Sequence, residues 1–287
     1  MTDATPPFAR LRRVSIPFEG LRMNGYEGGR GRALLVVHGS GPGASSIGNW
    51  RPVLDDLAER YRVLAIDLIG FGLSDRKAEP PCFDFDLWVR QIRTALDHLG
   101  ESDIGLIGHS LAGALVLETA AYDRRVGGVL TTGTMGAPMP VNPALGYVWR
   151  CPGSRAEMRI AAQALIADHR LITDDYLDFR MQVIGSEGYR RYFNAMFDRP
   201  FETYIDAAAL DEDTLAGITA PVLMLHGTED EPIPAENGSL ALQPKLPRAD
   251  VLLLHGCGHS VAMERRETFL NAVFGHFGQG AGIRRGT

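Results

Sequence analysis

The stretch Ile104-Gly105-Leu106-Ile107-Gly108-His109-Ser110-Leu111-Ala112-Gly113 decides how this chain folds. It begins with an apolar run typical of a buried strand, and an apolar pattern with helical spacing follows it. A strand that turns at once into a helix forces the residue at the turn, Ser110, into a strained backbone conformation. Small residues at Gly108 and Ala112 let strand and helix approach closely. The hydroxyl of Ser110 is therefore expected to be exposed at the turn.

This turn resembles the nucleophile elbow of the α/β-hydrolase family, Gly-x-Ser-x-Gly. Ala112 stands where that motif has its last glycine, and alanine adds only one methyl group. The resemblance implies that Ser110 is a catalytic nucleophile. The alternative is a serine that caps an ordinary helix, because serine is favoured at helix N-termini.

Composition and charge exclude several classes of protein. The chain has 287 residues, 45% of them hydrophobic, which suits one core with an insertion. Lysine and arginine total 29 against 35 aspartate and glutamate, without a basic stripe, so no nucleic-acid partner is expected. No apolar window is long enough for a membrane span. The cysteines lack metal-ligand spacing and no signal sequence is evident, so a cytoplasmic protein without metal or cofactor is expected.

Short aliphatic runs bounded by glycine, proline or aspartate predict the strands. They are continuous rather than alternating, as in strands buried on both faces, and amphipathic helical patterns such as 88–99 lie between them. The alternation predicts an α/β fold with a mainly parallel sheet flanked by helices. The predicted strands are 33–37, 63–66, 104–107, 128–132, 222–225 and 251–254, with an antiparallel edge hairpin of 14–18 and 21–26.

The alternation stops between about residues 135 and 216. This segment has no convincing strand, and prolines between 138 and 152 mark its start. The prediction is an α/β-hydrolase fold whose core is 1–134 and 217–287, with an inserted helical cap at 135–216. Its helical stretches are 155–168, 174–184 and 187–197.

A serine nucleophile needs a histidine as base and an acid that orients the histidine. In this fold the acid follows a later strand, and the histidine lies near the C-terminus. Asp230 follows the run 222–225 in a turn that resembles the family's Gly-x-x-Asp-x-x-x-Pro acid loop. It is the predicted acid, with Glu229 as the alternative if the loop is shifted. Glu231 is interpreted as a solvated turn charge.

Two histidines after the last strand compete for the role of base. His259 follows a glycine in a loop before a helix, as the family's catalytic histidine does. His255 lies at the strand end, where a structural histidine is the better interpretation. The predicted catalytic residues are therefore Ser110, Asp230 and His259.

The oxyanion hole is expected to use two backbone N–H groups. One belongs to Leu111, directly after the nucleophile. The other belongs to the loop His38-Gly39-Ser40-Gly41-Pro42-Gly43-Ala44, where Ser40 is the candidate. Its hydroxyl is also expected to bind substrate. A simple Gly-rich turn and a phosphate-binding loop are the alternatives, but neither phosphate-loop motif is complete here.

The resemblance becomes more specific in the segment 38–44 with Asn49-Trp50, in Gly136-Ala137-Pro138-Met139-Pro140-Val141, and in the cap stretches 171–180 and 193–197. These stretches are similar to the meta-cleavage-product hydrolases, which hydrolyse a C–C bond in 2-hydroxy-6-oxo-hexa-2,4-dienoates made by ring fission of catechols. The resemblance implies a small-molecule substrate of this type.

Carbon is a poor leaving group, so such a substrate must first move a proton from its dienol oxygen to carbon. A cation that clamps the carboxylate and 2-oxo group favours this ketonised form. The similarity in the cap implies that Arg180 is this clamp, on one helix face with Tyr176. Arg190 and Arg191 are rivals, and a solvated surface charge is the alternative.

Two residues depart from the family pattern. The family usually has asparagine before the nucleophile and tryptophan four residues after the catalytic histidine, whereas this chain has His109 and Met263. Both are predicted to contact the substrate. They indicate either an altered substrate or a carboxylesterase or lactonase. A non-catalytic ligand receptor is a further alternative, and self-association into a homo-oligomer is compatible with the sequence.

Overall fold

A computed structural model describes residues 8–185 and 188–278. Their strands are β1 (Leu11–Phe18), β2 (Leu21–Gly28), β3 (Ala33–Val37), β4 (Arg62–Ile66), β5 (Ile104–His109), β6 (Val126–Thr132), β7 (Val222–Gly227) and β8 (Ala249–Leu254). They form one sheet in the order β1-β2-β4-β3-β5-β6-β7-β8. The β1–β2 and β2–β4 pairs are antiparallel and the other pairs are parallel. The predicted strands and edge hairpin are confirmed.

Helices occupy the connections that follow β3 and each later strand. They are α1 (Ser46–Trp50), α2 (Leu54–Ala58), α3 (Phe85–Leu99), α4 (Leu111–Tyr122), α5 (Pro143–Val148), α6 (Arg155–Leu165), α7 (Asp174–Ile184), α8 (Tyr189–Met196), α9 (Phe201–Ala208), α10 (Glu212–Gly217), α11 (Ser239–Leu242), α12 (Val261–Glu264) and α13 (Arg266–Phe277). Short 3₁₀ turns lie at His169–Leu171, Ala235–Asn237 and Gln243–Lys245. None of the helices in the described ranges has the length and hydropathy needed to cross a bilayer.

The two faces of the sheet bury two hydrophobic clusters. Leu35 and Val37 of β3 pack in the cluster that contains α3 and α4, whereas Leu34 and Val36 pack with α2 and α13. Successive side chains of a strand point to opposite faces, so a strand buried on both faces must be apolar throughout. The predicted α/β-hydrolase fold, a mainly parallel sheet flanked by helices, is confirmed.

The segment between β6 and β7 contains helices and, among the described residues, no strand, but the limits of two predicted helices differ. The helix expected at 155–168 ends at Leu165, because the carbonyl of Leu165 accepts the N–H of Ser260 and the N–H of Ala167 donates to Glu264. These bonds replace the next helical turn. The helix expected from residue 187 begins at Tyr189, and its predicted first residue lies outside the described residues.

The sheet topology brings the predicted site residues to one edge. The parallel strands β3, β5, β6, β7 and β8 all end at the same side, and ligands of open α/β sheets bind at such carboxyl ends. The loops that follow β3, β5, β7 and β8 carry Ser40, Ser110, Asp230 and His259 respectively.

Candidate active site

Ser110 lies at the sharp turn between β5 and α4. Its backbone has φ 59° and ψ −123°, a region that costs a residue with a side chain on the order of 1–3 kcal/mol. Its side chain makes no capping hydrogen bond, so this is not an ordinary N-cap serine. A Cβ at Gly108 would lie 2.4 Å from the carbonyl oxygen of Ala112, which shows how closely the strand and the helix approach.

Asp230 and His259 are in direct contact. Nδ1 of His259 lies 2.7 Å from Oδ2 of Asp230, and both side chains are almost completely buried. The neighbours Glu229 and Glu231 are exposed, and so is His255. A carboxylate on Nδ1 fixes the tautomer that leaves Nε2 free to accept a proton.

A second imidazole holds the same carboxylate oxygen. His226, fully buried at the end of β7, places Nε2 3.2 Å from Oδ2 of Asp230 and 2.8 Å from the carbonyl oxygen of Ile233. Nε2 faces acceptors, so it carries the proton, while Nδ1 contacts the hydroxyl of Ser239. The N–H of Ile233 donates to Oδ1 of Asp230 at 2.9 Å, so both carboxylate oxygens are held.

The charge state of Asp230 follows from these contacts. Burial by itself would raise the pKa of this carboxyl, but the adjacent His259 and His226 reverse the effect and hold the pKa well below its usual range. Asp230 is therefore ionised at neutral pH. Cys257, two residues before His259, stays a thiol because burial raises its pKa to about 12.

The loop after β3 is fixed against Ser110 by His38. This histidine accepts the N–H of Leu68 on Nε2 at 3.0 Å, so Nδ1 carries the proton and donates to the carbonyl of Gly39 at 2.6 Å. Because the peptide is planar, this bond also fixes the direction of the N–H of Ser40. A Cβ at Gly39 would lie 3.0 Å from the Cβ of Ser110. The loop therefore runs directly beside the serine.

The predicted residues meet around two adjoining cavities of about 20 and 40 Å³. Ser40, Ser110 and His259 line the smaller cavity, Met263 lines the larger one, and His109 and Arg180 line both. Leu111 begins α4, so its N–H has no partner within the helix. Each cavity has room for only one to a few water molecules, so a larger ligand needs lining side chains to move.

A larger cavity of about 690 Å³ lies elsewhere, between α5 and α6. None of the predicted site residues lines it. Within the described residues, no group of three or more histidine, cysteine, aspartate or glutamate side chains is arranged to hold a metal ion.

Arg180 is buried, unlike its rivals Arg190 and Arg191, which are exposed. Its Nη1 donates to the carbonyl of Gly43 at 2.9 Å, and its Nε donates to the hydroxyl of Tyr176 at 3.2 Å. No carboxylate of the described residues lies within ion-pair distance of it. A buried cation with only neutral partners is well placed to bind an anion that enters the cavity.

Sequence reasoning gave no role to three other residues near the serine. Trp149, just after α5, donates from Nε1 to the hydroxyl of Ser40 at 3.0 Å. Asn49 lines both cavities with Oδ1 buried and without a partner. A Cβ at Gly133 would lie 2.7 Å from Nδ1 of His259. The pair Asn49-Trp50 was visible as part of a motif, but contacts of Trp149 and Gly133 depend on packing that no local pattern indicates.

His109 packs its ring against that of His259, with centroids 4.5 Å apart, and its Nδ1 lies 2.9 Å from the hydroxyl of Thr132. Burial and the nearby His259 hold the pKa of His109 well below its ordinary value of 6.5. Below about pH 6.5 the unfolded chain therefore binds a proton that the folded chain does not. The free energy of unfolding therefore decreases as the pH falls below about 6.5, because the unfolded state gains a proton there that the folded state does not bind.

We expect the free energy of unfolding to fall below about pH 6.5, by at most about 1.4 kcal/mol per pH unit for each such histidine. His109→Asn should reduce this slope, whereas the matched change at exposed His255 should not. Urea unfolding at several pH values between 5 and 8 measures it. An unchanged slope in His109→Asn would mean that folded His109 binds its proton normally.

Comparison with known proteins agrees with this geometry. The sequence matches the model of the alpha/beta hydrolase family over residues 34–272, and the chain belongs to that family. Over 88% of its length it is 33% identical to 2-hydroxymuconate semialdehyde hydrolase of Pseudomonas sp. (strain CF600), covering 89% of that protein. It is 31% identical to 2-hydroxy-6-oxo-2,4-heptadienoate hydrolase of Pseudomonas putida, with 88% of this chain and 92% of that protein covered.

The solved structures give the same result. A mutant form of the meta-cleavage product hydrolase CumD from Pseudomonas fluorescens superimposes with a TM-score of 0.89 at 30% identity, covering 93% of this chain and 98% of the other. The 2-hydroxy-6-oxo-6-phenylhexa-2,4-dienoate hydrolase of a Rhodococcus strain gives 0.84 at 27% identity, with 93% and 98% covered. The resemblance to the meta-cleavage-product hydrolases is thus confirmed.

Proposed function

We propose that this protein is a serine hydrolase that cleaves a C–C bond in a 2-hydroxy-6-oxo-hexa-2,4-dienoate, a product of aromatic ring cleavage. The observation that carries the proposal is the position of Arg180. It is a buried cation without a carboxylate partner among the described residues, and it lines the same cavity as Ser110 and His259. The relatives named above act on substrates of this type.

Each group has a defined task in this reaction. Arg180 binds the carboxylate and 2-oxo group and favours the ketonised substrate, in which the dienol proton has moved to carbon. Ser110 attacks the distal carbonyl carbon, or activates water for that attack, while His259 takes the proton. Asp230 orients His259 and stabilises its charge. The N–H groups of Ser40 and Leu111 stabilise the oxyanion.

The conjugated keto acid accepts the electron pair when the C–C bond breaks. As the oxyanion collapses, the electron pair of the C–C bond passes into the vinylogous 2-oxo group that Arg180 holds, which gives a dienolate. His259 supplies its proton. If Ser110 was the nucleophile, water then hydrolyses the acyl-serine to a carboxylic acid, whereas direct attack by water gives the acid when the C–C bond breaks. His109 and Met263 are placed to contact the substrate, because both line the cavity beside Arg180.

The alternative is a carboxylesterase or lactonase, and it rests on His109, which stands where the family usually has asparagine. Purified protein mixed with the yellow 6-methyl or 6-phenyl hydroxydienoate distinguishes the two activities. Loss of the yellow colour is the expected result. Robust turnover of p-nitrophenyl esters without bleaching would reject the C–C hydrolase and favour the esterase.

The clamp gives a prediction of its own. Arg180→Ala should lower kcat/KM for the acidic dienoate by about 10²-fold, because a buried charge-assisted contact is lost, and should affect neutral esters much less. Arg190→Ala, an exposed arginine of the same segment, is the control. Steady-state kinetics on both substrates give the comparison. Equal losses on dienoate and ester would reject the clamp.

Other parts of the interpretation are proposals too. We propose that 135–216 acts as a cap over the core formed by 1–134 and 217–287. A cytoplasmic location is supported by the three cysteines, which are unpaired. Self-association into a homo-oligomer stays a prediction, which the mass of the purified protein in solution tests.

A further inference from the structure

One carboxylate joins the helical insertion to the loop of His259. Glu264, the last residue of α12, accepts the N–H of Ala167 at 2.9 Å and that of Asp168 at 3.1 Å on Oε2. Its Oε1 accepts the N–H of Gly258 at 3.0 Å. The carboxylate therefore has bonds to both sides of the boundary between the insertion and the core.

The two backbone segments are also in direct contact. The N–H of Ser260 donates to the carbonyl of Leu165 at 3.1 Å. A Cβ at Gly258 would lie 2.8 Å from the nitrogen of Ala167, so only glycine fits at that position. His259 thus lies between two residues, Gly258 and Ser260, that each have a bond involving Glu264 or the insertion.

No ion pair competes with the backbone N–H groups for the carboxylate of Glu264 among the described residues. No lysine, arginine or histidine of the described residues forms an ion pair with it. Its neighbour Arg265 donates instead to the carbonyls of Glu264, His255 and Gly256. Backbone N–H groups that donate to a carboxylate form charge-assisted bonds, which are about twice as strong as neutral ones.

We propose that Glu264 is a positioning residue that makes the placement of His259 depend on the docking of segment 165–168. When this segment lies against the core, Glu264 is held by three N–H groups and the His259 loop is fixed. When the segment moves away, Glu264 loses its two bonds to the insertion, and Ser260 loses its bond to Leu165. The base is then aligned only when the site is closed to water.

This inference rests on the proposed role of His259, so its test uses a readout that does not need the proposed substrate. The rate at which a fluorophosphonate labels Ser110 reports the alignment of the base. Glu264→Ala is compared with Glu267→Ala, an exposed glutamate at the start of α13. Glu264→Gln keeps the size of the side chain but replaces one acceptor oxygen by a donor.

We expect Glu264→Ala to lower the labelling rate and kcat by about 10-fold or more with little change in KM, because the base is displaced while substrate contacts remain. Glu264→Gln should show a smaller loss, and Glu267→Ala none. Hydrogen exchange should quicken together at the amides of Ala167, Asp168 and Gly258.

A variant in segment 165–168 tests the same coupling through the partner of Glu264. It also replaces Glu264→Ala as the test if that variant does not fold. Ala167→Pro removes one N–H donor to Glu264 and changes no residue of the His259 loop, and the extended backbone of Ile166 is suited to precede proline. The labelling rate should fall here too. An unchanged rate in either folded variant, or faster exchange at Ala167 with full activity, would overturn the proposal. Failure of the wild type to be labelled would instead reject the proposed function.

Discussion

Ser110→Ala is expected to lower kcat for hydroxydienoate cleavage by about 10³- to 10⁶-fold, the range found when a serine nucleophile is removed. The reason is geometric as well as chemical. The turn holds Ser110 at φ 59° without a capping bond, and the buried serine lines the cavity instead of capping the helix. Bleaching of the yellow substrate under single-turnover and steady-state conditions measures the loss.

Two controls separate this effect from a change in folding. Ser102→Ala alters an exposed serine at the other end of β5 and should keep full activity. The melting temperature of Ser110→Ala should be close to that of the wild type or slightly higher. If Ser110→Ala retained activity within a few-fold of wild type, neither covalent attack nor serine-activated water would be tenable.

Asp230→Asn is the second change with a large expected effect, a fall in kcat of about 10⁴-fold at neutral pH. The amide keeps the shape of the side chain but lacks the negative charge of the carboxylate. It therefore cannot accept hydrogen bonds from the N–H groups of both imidazoles as strongly. His259, whose Nδ1 lies 2.7 Å from Asp230, would then be free to adopt the wrong tautomer. Measurement of kcat against pH should show the loss across the neutral range.

Glu229→Gln is the matched control, because it removes an adjacent carboxylate that is exposed. It should leave kcat unchanged. An equal loss in Glu229→Gln would support the shifted acid loop, with Glu229 as the residue that orients His259. Partial recovery of Asp230→Asn at high pH is also expected, since hydroxide then replaces the general base.

Much of the fold could be predicted because buried parallel strands need continuous apolar runs. The runs at β3 and β5 therefore stand out in the sequence, and the glycines around Ser110 mark a turn that few residues tolerate. The order of Ser110, Asp230 and His259 along the chain then indicated the site, because the carboxyl ends of parallel strands meet at one edge of the sheet.

Local position favoured His259 over His255, and the structure adds the physical difference between them. His255 is exposed, whereas Nδ1 of His259 lies 2.7 Å from Oδ2 of Asp230. The limit of α6 was predicted three residues too far, because helical periodicity does not reveal that Glu264 and Ser260 bind the backbone where the helix would continue.

The sequence by itself determined which loops carry the candidate residues: a serine at a strained turn after one strand, and an acid and a histidine after later strands. Local patterns sufficed, because each residue follows a recognisable apolar run. Only the tertiary structure decided which side chains reach them. Trp149 on Ser40, Arg180 on the carbonyl of Gly43 and the N–H groups of 167–168 on Glu264 are contacts between segments far apart in the chain. Such contacts depend on how the insertion packs against the sheet, and hydrophobic periodicity gives the buried face of a helix but not its neighbour.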